Sequence, residues 1–62
     1  MRSSELIRRL QTASCECVRY NGGSHQIWWS PLTGKTFAVP HPKKDLPPGT
    51  LHAILKMAGL KS

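Results

Sequence analysis

A chain of 62 residues has room for one core and little insulation around it, because a domain of this size buries only about 60% of its unfolded surface. A multi-part active site with its own substrate domain is therefore excluded. Nine Lys and Arg stand against three acids, a net charge of +6, and such an imbalance points to a polyanion or an acidic protein partner, with plain solubility as the simpler reading.

The opening MRSSELIRRL carries charges inside its apolar stretch, so it does not read as a secretory signal. No apolar run approaches the ~20 residues of a membrane span, and a cytoplasmic location is expected. Ser3 or Ser4 is placed to cap a helix, with Glu5 in its first turn. Leu6, Ile7, Leu10 and Ala13 recur at helical spacing, which predicts a short amphipathic helix ending near Ala13. Residues 15–20 read as a strand, and Asn21-Gly22-Gly23 as a turn. Residues 25–29 (HQIWW) form the next strand, 30–34 a second turn, and 35–39 (KTFAV) a third strand closed by Pro40. Residues 40–49 are too rich in proline for regular structure. Leu51, Ile54, Leu55 and Ala58 then mark a helix, started at Pro47 or Pro48 and capped at Gly59. The order predicts an α+β fold, α-β-β-β-α, over residues 1–62 as a single domain. Its three strands form an antiparallel sheet with both helices on one face, leaving the other open. The basic residues are dispersed from Arg2 to Lys61, as on the skin of a folded domain.

Few residues are available for chemistry. The three acids form no carboxylate pair, and phosphate loops, H-E-x-x-H and nucleophile signatures are absent. Cys15 and Cys17 share one face of a strand, where a disulfide needs unusual geometry. With His25 and His41 they supply Cys2His2 donors, but the spacing is unlike that of zinc sites. The simpler expectation is a pair of reduced thiols. The two histidines remain, in a basic field.

Histidine exchanges protons near neutral pH, and RNA carries its own nucleophile, the 2′-OH, beside the scissile phosphate. One positioned base contributes about 10²–10⁴-fold to such a reaction, so this is hydrolytic chemistry that a small basic domain can run. The simpler reading of His25 is that it packs or hydrogen-bonds in its turn; His41, between Pro40 and Pro42, reads equally as a stiffened phosphate contact or as a loop residue without a role, and His52 as surface. Trp28 and Trp29 face opposite sides of the sheet, one for the core and one free to stack on a base or a partner.

GGSHQIW, followed by FAVPHPKKDLPPGTLHAILKMAGL and preceded by MRSSELIRRL, resembles the HicA family of bacterial toxins over nearly the whole chain. The resemblance implies a fold similar to the double-stranded-RNA-binding domain. It implies a ribosome-independent mRNA interferase of a type II toxin–antitoxin pair, with His25 catalytic, no metal cofactor, and a HicB antitoxin that masks the site. On that basis His41 is a second candidate participant. Lys35, Lys43 and Lys44 are candidate phosphate contacts, and Ser24 is the fourth RNA-binding candidate, supporting the histidine loop. The alternative is a non-catalytic RNA-binding or regulatory module on the same fold; a third reading is a purely protein-binding domain. The chain departs from the family pattern at Ser14-Cys15, where a glycine and an aromatic are usual, and in a turn at 20–23 that is one residue longer.

Overall fold

A computed structural model of the chain describes residues 1–20 and 23–60. The elements run α1 (Ser3–Thr12), β1 (Glu16–Tyr20), β2 (His25–Trp29), β3 (Thr36–Pro40) and α2 (Pro48–Ala58). The strands form one antiparallel sheet in the order β1-β2-β3, so the α+β arrangement expected from the sequence is the one observed. Pro40 closes β3 from within. It is tolerated there because β3 is an edge strand, and a missing N–H costs nothing on the unpaired side.

Alternation along β2 and β3 divides the sheet. Trp28 pairs with Phe37, and Gln26 with Val39. Trp28, Phe37 and Val39 are buried with Leu6 and Leu10 of α1 and with Ile54, Leu55 and Ala58 of α2. Both helices therefore cover one face. The other face carries His25, Ile27 and Trp29 beside Thr36, Ala38 and Pro40, and among the described residues no helix covers it. Trp29 is half-buried there, whereas Trp28 is enclosed and donates its indole N–H to Gln26 Oε1 at 3.0 Å. All five residues of β1 are exposed, and its register breaks between Cys17 and Arg19.

Both helices close with paired 6→1 and 5→2 backbone bonds. At the end of α1, Cys15 N–H donates to the Leu10 carbonyl and Ser14 N–H to that of Gln11; at the end of α2, Leu60 N–H donates to Leu55 and Gly59 N–H to Lys56. This motif needs a residue in the left-handed region. Gly59 supplies it at φ +79°, but at α1 the position falls to Ser14 at φ +67°. This is the serine of the Ser14-Cys15 pair, at which the resemblance noted above leads one to expect a glycine. The β2–β3 turn grips the end of α2, with Ser30 Oγ donating to the Ala58 carbonyl and Thr33 Oγ1 to that of Met57, both at 2.6 Å. These are carbonyls that the helix itself leaves unpaired.

One expectation is corrected at the start of α1. Arg2, not Ser3 or Ser4, is the residue preceding the helix. The Arg2 amide donates to Glu5 Oε1 at 3.4 Å. Ser3 is the first helical residue, and its side chain is taken up by the loop after β3. The longer turn expected at 20–23 includes Asn21 and Gly22, which lie outside the described residues.

Candidate active site

His25 is the first residue of β2 and pairs with Pro40 at the end of β3. Its ring is exposed and belongs to the uncovered face. Ser24, just before it, lies with its Oγ 3.4 Å from His25 Nδ1. In the tautomer that donates Nδ1–H to that hydroxyl, Nε2 keeps its lone pair and is available as a base.

His41 follows Pro40, and its amide donates to the Ser24 carbonyl at 2.8 Å. That bond carries the β2–β3 ladder one step beyond the strands and joins the two histidine motifs at one corner of the sheet. The two rings leave that corner in different directions. Whereas His25 belongs to the open face, His41 turns to α1, where its Nδ1 lies 2.7 Å from Ser3 Oγ.

Ser3 is the hub of this contact. It is 1% exposed, its amide donates to the Lys43 carbonyl at 2.9 Å, and its Oγ accepts the Lys43 amide at 2.9 Å. Leu46 N–H donates to the Met1 carbonyl, also at 2.9 Å, and the Leu46 side chain is buried in the core. A proline-rich loop with no regular structure is thus held by its bonds to the first residues of the chain. The side chains of Lys43 and Lys44 are exposed. With Arg2, Ser3, Ser4 and His41 they line a hollow of about 460 Å³.

Ser24, His25, His41, Lys43 and Lys44 therefore gather at one end of the β2–β3 hairpin. Lys35 does not join them. It precedes Thr36, the partner of Trp29, at the other end of the hairpin and roughly 17 Å from the His25–Pro40 pair by strand rise. Sequence reading missed Arg2 and Ser3 as members of the site, because a serine at a helix start reads as a cap. No local signal ties position 3 to position 41. Cys15 is buried beneath the helix corner and Cys17 is exposed on β1. Among the described residues no three His, Cys, Asp or Glu side chains approach closely enough to hold a metal.

The field around the corner is positive. Among the described residues no carboxylate bonds to either histidine ring. Asp45, the nearest acid along the loop, pairs with the N-terminal amine at 3.7 Å.

A family model described as the HicA toxin of bacterial toxin–antitoxin systems matches residues 3–60. The chain belongs to the HicA toxin family. A similar chain occurs in a solved structure described as the HicA3 and HicB3 toxin-antitoxin complex. The two are 38% identical, the match covers 98% of this HicA chain and 97% of that one, and the TM-score is 0.75. No curated protein matches at a significant level. This HicA chain is accordingly a toxin of a bacterial toxin–antitoxin system.

Proposed function

We propose that this HicA chain is a metal-independent endoribonuclease acting on mRNA, with His25 as the catalytic base. The observation that supports it most is the setting of His25: an exposed imidazole at the head of a strand, on an uncovered sheet face, beside a corner lined by Arg2, Lys43 and Lys44. His25 takes the proton of a ribose 2′-OH, the 2′-oxygen bonds to the adjacent phosphorus, and the bond to the 5′-oxygen breaks as that oxygen gains a proton from water. The products are a 2′,3′-cyclic phosphate and a 5′-hydroxyl. The nucleophile belongs to the substrate, so the protein needs to supply only a base and positive charge. Trp29, half-buried on the same face as His25, offers a stacking surface for a base.

The partner in this reading is a HicB-like acidic antitoxin in the same cytoplasm. The similar solved chain is described as part of a complex with HicB3, and a net charge of +6 suits an acidic cover.

The deciding experiment is digestion of purified RNA in EDTA by this chain and by His25→Ala. Cleavage by the first, lowered about 10²–10⁴-fold in the second, is the expected result. RNA that is shifted on a gel by both proteins but cut by neither would reduce the chain to an RNA-binding module.

A further inference from the structure

The second histidine has a different part to play, and the reason lies in Ser3. The Lys43 amide can only donate, so its 2.9 Å contact occupies one lone pair of Ser3 Oγ. The hydroxyl hydrogen of Ser3 must then find an acceptor inside the protein, since the residue is 1% exposed. His41 Nδ1, at 2.7 Å, is that acceptor. Were Nδ1 to carry the hydrogen, Ser3 Oγ would accept twice and its own hydrogen would be buried without a partner. The neutral ring of His41 therefore carries its hydrogen on Nε2.

We infer that Ser3 is a positioning residue that holds His41 as an Nε2–H donor at the hollow it lines with Arg2, Lys43 and Lys44, and that this hollow takes a phosphate of the RNA next to the one being cleaved. The ligand chemistry follows from the lining: three cations and one fixed hydrogen-bond donor, with no acid among the lining residues, suit the anionic oxygens of a phosphodiester. Position follows from the backbone. The bond from His41 N–H to the Ser24 carbonyl puts the hollow around the corner from His25, so a strand crossing the sheet end meets both. His41 in this role binds and orients, and the proton transfer stays with His25. The ligand assignment rests on the ribonuclease reading; the tautomer does not.

The test combines long-range proton–nitrogen NMR of the histidine rings with binding of a 2′-O-methyl oligoribonucleotide, which lacks the nucleophile and cannot be cleaved. In the unaltered chain, His41 is expected as the Nε2–H tautomer, and the oligonucleotide is expected to move its Nε2 signal. Ser3→Ala should leave a mixture of tautomers. His41→Gln, whose amide preserves a donor near Nε2, should bind the oligonucleotide within a few-fold of the parent. His41→Ala should bind on the order of ten- to a hundredfold more weakly, the loss of one hydrogen bond to a charged group. A His41 that carries its hydrogen on Nδ1 in the unaltered chain overturns the inference, and that readout stands even if Ser3→Ala fails to fold. So does equal damage from Gln and Ala, or an oligonucleotide that leaves the His41 signal in place. If these results hold while the chain cuts no RNA, the nuclease reading fails, and with it the place of this phosphate beside a scissile one, while the tautomer and the phosphate contact stand.

Discussion

The amide of His41 donates to the carbonyl of Ser24 at 2.8 Å, and this one bond turns two separate histidine motifs into a single corner. On one side of it His25 stands on the open sheet face. On the other, His41 is anchored to Ser3, and the lysines that follow it share the rim of a cationic hollow. If RNA is the ligand, as proposed above, this arrangement predicts a division of labour among the basic residues.

Lys43 and Lys44 flank that corner, whereas Lys35 lies at the far end of the hairpin. Replacing both Lys43 and Lys44 with alanine should weaken binding of uncleavable RNA and flatten its salt dependence by about 0.7 in log–log slope per lysine, as expected for lost contacts to a single strand. Lys35→Ala should change binding of a short oligonucleotide less than either single change at 43 or 44. Fluorescence anisotropy over a salt series measures both. A Lys35 effect as large as those would place RNA along the whole hairpin instead of at its histidine end.

Ser14 holds a left-handed conformation at φ +67° that costs an L-residue roughly 1–2 kcal/mol. Glycine removes that strain and returns part of the gain through its greater freedom when unfolded. Ser14→Gly should therefore stabilise the fold by about 0.5–1 kcal/mol, raising the melting temperature by a few degrees for a domain of this size. Urea denaturation of the two proteins decides it; an unchanged midpoint would mean that the corner carries no strain.

Gly59 is the opposite case. A Cβ there would sit 3.0 Å from Thr33 Cγ2 and 3.1 Å from Leu32 Cβ, at φ +79°. Relief would require the turn to move, and Thr33 is tied to the Met57 carbonyl at 2.6 Å. Gly59→Ala should destabilise the chain by about 1–2 kcal/mol, visible as a lower melting temperature in circular dichroism. Cleavage by the fraction that remains folded should persist, because the turn is remote from His25.

The two thiols should separate by reactivity. Cys17 is exposed on β1, whereas Cys15 is 5% exposed in the core. A maleimide should modify one thiol in the native protein and the second only after denaturation. Intact-mass spectrometry before and after adding urea counts them. Native modification of both would indicate that the helix-to-strand corner opens readily.

Most of the fold was legible along the chain because its signals are local. The i, i+3, i+4 spacing of Leu51, Ile54, Leu55 and Ala58, the proline before them and Gly59 after them describe α2 without any knowledge of its neighbours. Residues 25–29 similarly announce a strand through their Ile and Trp content, and the adjacent tryptophans divide between its two faces as the pleat requires. His25 was visible through its motif. What the chain order hid is every contact that crosses it. Ser3 reads as a helix cap, since nothing near it in sequence suggests another use for its hydroxyl; only folding brings the loop after β3 against α1 and makes Ser3 the partner of His41 and Lys43. Lys35, Lys43 and Lys44 look equivalent by charge, and the hairpin alone separates them. Periodicity and turn chemistry determine elements, because they act between residues a few positions apart. The site depends on hydrogen bonds that span the chain, and those exist only once the core has closed.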